Sequence, residues 1–525
     1  MSINGTTLPP KKRLAIIGGG ISGLSAAWHA QQADFEVELF EASSQLGGVL
    51  GTISWNGRLI EGAADNFATL DDEALQWCRK MGLEHEFISP STEHRLAMVL
   101  HHGVPKPIPA GFSLIQPTKV WPILTTPVLS LSGKLRLLYE YFVPRRRQSE
   151  DESLYDFALR RLGKEAFERL VEPIVGGIFT ADPKRLSMQA TLPQFVQMEK
   201  EHGGLMRGFF AQLRKRRQMQ KTSVSQDGSK RSGQPTIEQQ ASGARYAQFL
   251  APKQGMTWWM DAIERQLSGT KIHRDAKVTK IIDRSVSSSA TNSPPLSGSK
   301  WELTLANGER KQFDAVVIAT SSATAARLLQ SVDENVASRL TQLRTASSVV
   351  VALIIRRQDV AKMAWCFGIV IPQIEKRKAL AVSFTGLKYP GRATEDELLV
   401  RVFLGGSQHP EMMSWSDEDL TRTAVQELSD MIGWRGTPLW SRVLRWVDAM
   451  PQYDVGHVSR IAEIDSLLAA VAPTLQVAGA AYCGVGIPQC VRSGRRAIEK
   501  ISAAVGHDTP SKGEASLPVS PKLVE

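Results

Sequence analysis

The residues with the clearest chemical capacity are glycines near the start of the chain. Gly18-Gly19-Gly20-Ile21-Ser22-Gly23 has the spacing G-x-G-x-x-G. It follows a short apolar run, residues 14–17, and opens a helix-like stretch, residues 22–32. Gly18 permits a tight turn, Gly20 lets the backbone approach a diphosphate, and Gly23 lets helix and strand pack closely. The helix N-terminus then offers N–H groups to the phosphates. Residues 37–40 read as a second strand, and Glu41 ends it. A carboxylate there accepts hydrogen bonds from ribose hydroxyls. The order strand, glycine turn, helix, strand, acid predicts a βαβ unit that binds a dinucleotide, and it favours this over an ordinary glycine-rich turn.

Two further glycine elements accompany it. Glu41 and Ala42 are followed, after four more residues, by the doublet Gly47-Gly48. Near the C-terminus, residues 475–481 read as a strand and turn ending at Gly479-Ala480-Ala481. Then come Gly484-Val485-Gly486-Ile487 and a helix-like segment from Cys490. A strand–glycine–helix element of this kind offers backbone N–H groups and a partial positive charge to an anionic group. No nucleophilic triad and no metal-ligand set is legible. The four cysteines, Cys78, Cys366, Cys483 and Cys490, cannot form a disulfide framework and lack CxxC spacing. They predict a reducing compartment.

The rest of the chain must position these elements. Of 525 residues, 42% are hydrophobic and 22% charged, which excludes wholesale disorder and fibrous repeats. The net charge of +10 is compatible with an anionic surface, an acidic substrate or nucleic acid. No uninterrupted apolar run reaches the 18 or so residues of a membrane span, and the N-terminus lacks the apolar core of a secretory signal. Further strands are predicted at Trp301–Leu305 and at residues 315–320, 347–355 and 397–404, and mainly helices over 121–217. Residues 1–10, 218–245, 285–300 and 506–525 are polar and predicted to be poorly ordered. Asp71-Asp72-Glu73 reads as a helix start. Arg145-Arg146-Arg147 and Arg214-Lys215-Arg216-Arg217 read as a solvated flank or as a contact with an anionic membrane. Nucleic acid accounts for them less well, because no nucleic-acid-binding motif accompanies them.

The pattern GxGxxG…E-A-x4-GG resembles that of the two-glycine flavoproteins, which include amine oxidases, phytoene desaturases and protoporphyrinogen oxidases. The resemblance covers residues 12–503 apart from the two internal polar segments. Three stretches narrow it: Val171-Glu172-Pro173-Ile174-Val175-Gly176-Gly177-Ile178-Phe179 with Leu186-Ser187-Met188; Met450-Pro451-Gln452-Tyr453 with Gly456-His457; and Gly479 through Cys490. They resemble the protoporphyrinogen/coproporphyrinogen oxidases more than the amine oxidases or desaturases. Two departures stand out. Val49 follows the doublet where many members have Arg, and Gly62-Ala63-Ala64-Asp65-Asn66-Phe67 replaces G-P-D-S-F.

The resemblance implies an α/β fold. A discontinuous Rossmann-like FAD domain (11–85, 246–325, 466–505) is expected with a mixed-sheet substrate domain (86–120, 326–465). A helical domain (121–217) facing a membrane completes it, with 218–245 as an insertion, 285–300 as a flexible insertion and 506–525 as a tail. It implies FAD contacts from Gly18, Gly20, Gly23, Glu41, Ala42, Gly47, Gly48, Gly62, Ala63, Val278, Trp446, Gly479, Val485, Gly486 and Ile487. The implied reaction is six-electron oxidation of a porphyrinogen, either protoporphyrinogen IX or coproporphyrinogen III, in haem biosynthesis. Dioxygen is the expected acceptor, and no catalytic side chain is required. Phe403 and Val370 are the expected walls of the substrate slot, the Gly177 carbonyl accepts a pyrrole N–H, and Arg95 or His101 holds a propionate. From the residues alone, Phe403 and Val370 would read as core. A cytoplasmic protein with peripheral membrane contact, and a homodimer, go with this reading. The rival readings are an amine oxidase or carotenoid desaturase, and a catalytically silent flavin-binding scaffold.

Overall fold

The computed structural model describes residues 11–148, 150–224, 248–287, 300–363 and 365–506. Arg13–Ile17 and Glu36–Phe40 are strands buried on both faces beyond their first residues. This is why each reads as an apolar run and not as an alternation. They pair in parallel, Leu14 opposite Val37, and the five-stranded parallel sheet runs Thr270–His273, Glu36–Phe40, Arg13–Ile17, Ala315–Ile318, Leu475–Val477. Strand periodicity divides the side chains between two cores. Leu14, Ile16, Val37, Leu39 and Val317 pack under the helices Ile21–Gln32 and Ile487–Val505. Ala15, Ile17, Phe40, Val316 and Ile318 face an antiparallel layer of Val278–Asp283, Trp301–Leu305 and Arg310–Phe313. Each fully buried Leu, Ile or Val contributes roughly 1.5–3 kcal/mol.

The two helices cross closely because Gly494 has no side chain, since a Cβ there would lie 2.2 Å from the Ser22 carbonyl oxygen. The Ser25 hydroxyl donates to the Val491 carbonyl at 2.8 Å. N-terminal and C-terminal glycine elements thus meet on one edge of one sheet.

The second layer is a seven-stranded mixed sheet in the order Trp440–Pro451, Thr345–Arg356, Glu397–Gly405, Ala379–Phe384, Gly368–Val370, Ala97–His101, Val104–Pro107. Val400, Val402 and Leu404 share one core with Leu420, Ala424, Leu428 and Met431 of the helix Asp417–Ile432. Leu399, Arg401 and Phe403 therefore face the other way. The third body is helical, from Val120–Thr125 to Leu205–Val224, around a core of Phe157, Leu170, Val175 and Phe195. Inside it the buried guanidinium of Arg161 is paired with Glu140 and Glu199.

Three expectations change. Residues 218–224 continue the helix Leu205–Val224, because extending a formed helix costs far less than nucleating one; 225–247 lie outside the described residues. Residues 285–287 belong to a short helix, Arg284–Ser287, while 1–10, 288–299 and 507–525 lie outside the described residues. The expected boundaries at 325 and 466 fall inside one core. Leu329, Val336 and Leu340 on one side, and Ile464 and Leu468 on the other, pack with Val316 and Ile318 of the parallel sheet. Apolar helix faces join the layer that covers them, and sequence order does not say which layer that is.

Candidate active site

The N-terminal turn is shaped by two close approaches. Gly18 has φ +106°, its N–H donates to the Phe40 carbonyl at 2.8 Å, and a Cβ there would lie 2.5 Å from the Ala319 oxygen. A Cβ on Gly23 would lie 1.9 Å from the Gly18 oxygen. Gly20 is different: a Cβ there meets no atom within 4 Å. The space beside Gly20 is thus left by the protein. The doublet closes over it, with the Gly47 N–H donating to the Gly19 carbonyl at 2.8 Å and Gly48, at φ +62°, against Gly20. Helix Ile21–Gln32 has no side-chain cap and no acidic residue in its first turn, so its first N–H groups remain for an anion. Glu41 accepts the Gly19 N–H at 2.7 Å on one oxygen and the Ser43 N–H and hydroxyl at 2.8 Å on the other. Ala42 is exposed beside it. Val278 is buried in the core below the sheet. The adjoining residues 273–277 and 305–307 line a cavity of about 400 Å³. The Ala276 N–H donates to the Glu41 carbonyl at 2.8 Å, which puts this cavity beside the end of strand Glu36–Phe40.

The C-terminal element returns to the same edge. Gly479 (φ +142°) donates its N–H to the Ser493 hydroxyl at 3.0 Å. Helix Ile487–Val505 starts after Gly486 and Val485 without a side-chain cap and with Pro488 in its first turn. Its outer face is tied down by Arg492 and Arg495, which pair with Asp71 and Glu73. Glu73 heads the helix Glu73–Lys80, so the acidic trio is a helix start and an anchor. The Tyr453 hydroxyl donates to the Ala480 carbonyl, and its ring packs edge-on to Phe179 and His457. Burial holds His457 neutral, its pKa pushed down to about 4.

Between these elements runs the segment 61–65, clasped by the second sheet. Trp446 donates its indole N–H to the Gly62 carbonyl at 3.0 Å, and Arg401 donates to the Ala63 carbonyl at 2.6 Å and the Glu61 carbonyl at 3.3 Å. Arg401 also meets Asp65 at 2.7 Å, and Lys388 meets Asp65 at 3.3 Å. Burial alone would raise Asp65, but Lys388 and Arg401 outweigh it and hold the carboxyl below its ordinary value. Burial lowers Lys388.

The residues expected to wall a substrate slot come together on the face of the second sheet opposite the Val400 and Val402 core. Phe403 is opposite Ala381 and Val350, Ala381 opposite Val370, and Val370 opposite Val99. Phe403 and Val370 are half-buried and Gly177 is exposed. A Cβ on Gly177 would lie 4.0 Å from Val370 Cγ1. In the last turn of helix Glu172–Phe179 the Gly176 carbonyl accepts the Thr180 N–H, and the Phe179 carbonyl accepts the Gln452 amide. Among the described residues no donor reaches the Gly177 carbonyl. Val485 and Val370 pack against the same helical core, so the third glycine element borders this slot.

The two propionate candidates separate. Arg95 donates through Nε and Nη2 to the carbonyls of Ser91 and Pro90 at 2.7 and 3.1 Å. His101 lies on the slot side of its strand, its Nδ1 2.6 Å from Nη1 of Arg169. Burial, then Arg169, lowers its pKa. Glu172 is buried, accepts the Gln373 N–H at 3.1 Å and the Gln408 amide at 3.3 Å, and has its pKa raised by burial to about 7. Reading the sequence missed Asp65, Lys388, Arg401 and Arg169. The one available signal was Arg401 inside the apolar run Leu398-Leu399-Val400-Arg401-Val402-Phe403-Leu404, since a charge in a buried strand requires a partner.

The empty space at Gly20, the two uncapped helix ends and the carboxylate of Glu41 fit a dinucleotide whose diphosphate lies between the glycine elements. The chain is 32% identical over 494 residues to coproporphyrinogen III oxidase of Bacillus subtilis (strain 168), covering 93% of this chain and 97% of the relative. It is 25% identical over 506 residues to protoporphyrinogen oxidase 2 of Arabidopsis thaliana, covering 93% and 94%. A crystal structure from Exiguobacterium sp. 255-15, described as a protoporphyrinogen oxidase, superposes with a TM-score of 0.77 at 26% identity over 94% of this chain and 99% of that one. The family model of the flavin-containing amine oxidoreductases matches residues 21–501. The chain therefore belongs to the flavin-containing amine oxidoreductase family, an oxidoreductase with FAD as its cofactor.

Proposed function

We propose that this flavoenzyme oxidises a porphyrinogen to the porphyrin. The observation that carries this is the row Phe403, Ala381, Val370 and Val99 across neighbouring strands, with a Cβ on Gly177 4.0 Å from Val370 Cγ1 and the segment 61–65 held by Arg401 of the Phe403 strand. A flat apolar macrocycle with inward N–H groups is complementary to such walls. The names of the relatives support the same substrate class. Bound FAD supplies two-electron hydride acceptance. Three such oxidations remove six electrons and six hydrogens, and three molecules of dioxygen, the proposed terminal acceptor, leave as hydrogen peroxide.

The chain's own residues orient and exclude. Val370 and Phe403 keep water from the macrocycle face, and the Gly177 carbonyl fixes its rotation by accepting a pyrrole N–H. Arg169, beside His101, brings positive charge to one end. Hydride transfer to the flavin needs no protein nucleophile. Aerobic incubation of the FAD-loaded protein with coproporphyrinogen III or protoporphyrinogen IX, followed by porphyrin fluorescence, tests the reading. Oxidation no faster than without protein, for both compounds, refutes it.

Peripheral membrane contact belongs to the same proposal. No helix of the described residues is long and apolar enough to cross a membrane. The helical body nevertheless exposes Trp121, Leu131, Leu135, Tyr139 and Phe142, and Arg145, Arg147, Arg214 and Lys215 are exposed on the same body. Aromatic and aliphatic side chains with a basic flank suit an anionic lipid surface.

A further inference from the structure

We infer that Arg169, oriented by His101, is the residue that binds a propionate carboxylate of the substrate. This rests on the porphyrinogen reading above and names the group that reads the substrate's charge.

Three observations converge on it. The first is position. Val370 pairs with Val99, and His101 stands two residues beyond Val99 on the same face of that strand, about 7 Å further along. Arg169 meets His101 from the helical side. The pair therefore lies at the end of the wall that carries Val370, beyond the apolar slot, where the polar arms of a macrocycle would emerge.

The second is the state of the guanidinium. Arg169 is largely buried, with 18% of its side-chain surface exposed. Its only carboxylate neighbour among the described residues, Glu165, is 3.7 Å from Nε and already accepts both the N–H and the hydroxyl of Ser130. Nη1 donates to His101 Nδ1, which must carry a lone pair and so be neutral. Burial and the neighbouring guanidinium keep it so. Among the described residues no acceptor meets Nη2. A neutral histidine orients the fork without pairing its charge, and Glu165 lies only on the Nε side, so the Nη2 end remains for a further acceptor. A substrate carboxylate supplies the missing partner, and Arg presents it with parallel N–H donors.

The third is local charge. Lys106 is opposite Val99 and shares its face, and it is one of the cations that depress His101. Glu375, the acid facing His101, is engaged by the His102 and Gly103 N–H groups at 2.8 and 3.0 Å. Arg169 itself lies in a π-helical turn, Phe167–Val171, a widening of the helix often found at functional positions.

The test uses the FAD-loaded full-length protein and its Arg169→Gln and Arg169→Lys variants. With coproporphyrinogen III, Arg169→Gln should raise KM about tenfold or more, with kcat and the flavin absorption spectrum little changed. Arg169→Lys should recover part of the loss. With the tetramethyl ester of coproporphyrinogen III, which has no carboxylate, wild type and Arg169→Gln should have the same KM. A KM for the free acid within twofold of wild type overturns the assignment and leaves the porphyrinogen reading intact. An equal loss on acid and ester makes Arg169 structural and overturns it too. A wild-type protein that oxidises no porphyrinogen removes the underlying reading, and this one with it.

Discussion

Gly20 and Gly23 are three residues apart in one turn, yet the structure predicts opposite consequences for the same substitution. A methyl group on Gly23 would lie 1.9 Å from the Gly18 carbonyl oxygen, about 1 Å inside the closest approach that real side chains show. The strand–helix junction must open to admit it, an overpacking cost of about 1–3 kcal/mol. Gly23→Ala should lower the melting temperature of the apoprotein by several degrees. A methyl group on Gly20 meets nothing within 4 Å. Gly20→Ala should therefore melt as wild type does when FAD is absent. Its methyl group instead occupies the space left for the diphosphate. Losing one or two charge-assisted contacts there, at about 1.5–3 kcal/mol each, corresponds to a tenfold or greater rise in the dissociation constant for FAD. Apoprotein titrated with FAD, followed by the flavin fluorescence, measures the affinity, and calorimetry of the same apoprotein measures the stability. A Gly20→Ala protein that binds FAD as tightly as wild type, with its apo stability unchanged, would refute the placement of the diphosphate beside Gly20.

Phe403→Ala should raise the KM for the porphyrinogen several-fold while the protein remains yellow, because the proposed slot puts the ring on the substrate side and Arg401, on the same strand, holds the segment 61–65; a colourless variant would put Phe403 in the flavin site. Glu172 has its folded pKa raised from 4.5 to about 7, so its contribution to stability is full below about pH 4.5 and is lost as pH rises through about 7. Denaturation of wild type and Glu172→Gln across that range should show a difference that changes by roughly 2–3 kcal/mol, with wild type losing stability as pH rises; parallel curves would show that the carboxyl does not titrate there. Sedimentation with vesicles containing anionic lipid should pellet the protein at low salt and release it at high salt. Neutralising Arg145, Arg147, Arg214 and Lys215 together should weaken pelleting by about 1 kcal/mol per charge, and no pelleting of wild type at low salt counts against a membrane surface.

The sheet that binds the dinucleotide was legible because its signals are local. Residues 14–17 and 37–40 are buried on both faces and read as strands without reference to anything distant, and the turn between them announces itself through Gly18 and Gly23. The limits of the bodies were less legible. Whether Val336 and Ile464 belong with the cofactor sheet or the second sheet depends on which surface covers them, and no periodicity records that. The end of helix Leu205–Val224 failed for a related reason: a polar sequence weakens the apolar stripe, whereas the helix is already nucleated upstream.

Asp65, Lys388 and Arg169 were illegible, and Arg401 nearly so, because each has its meaning in a partner far away. Asp65 and Arg401 are 336 residues apart, and His101 and Arg169 are 68 apart. Yet the pairing explains how cofactor and substrate surfaces are held in a fixed relation. Arg401 and Phe403 project from the same face of one strand, about 7 Å apart along it, with the guanidinium 5.4 Å from the Phe403 ring. One side chain grips the carbonyls of Glu61 and Ala63, and the other faces the proposed slot. Val402, between them, is buried in the opposite core and keeps the strand from sliding. A shift of one residue would bury Val402 against the cofactor segment and leave Arg401 in an apolar core without Asp65, an unpaired buried charge costing several kcal/mol. Arg401 thus does what an apolar residue in its place would not: it makes the correct register the only one in which its charge is met.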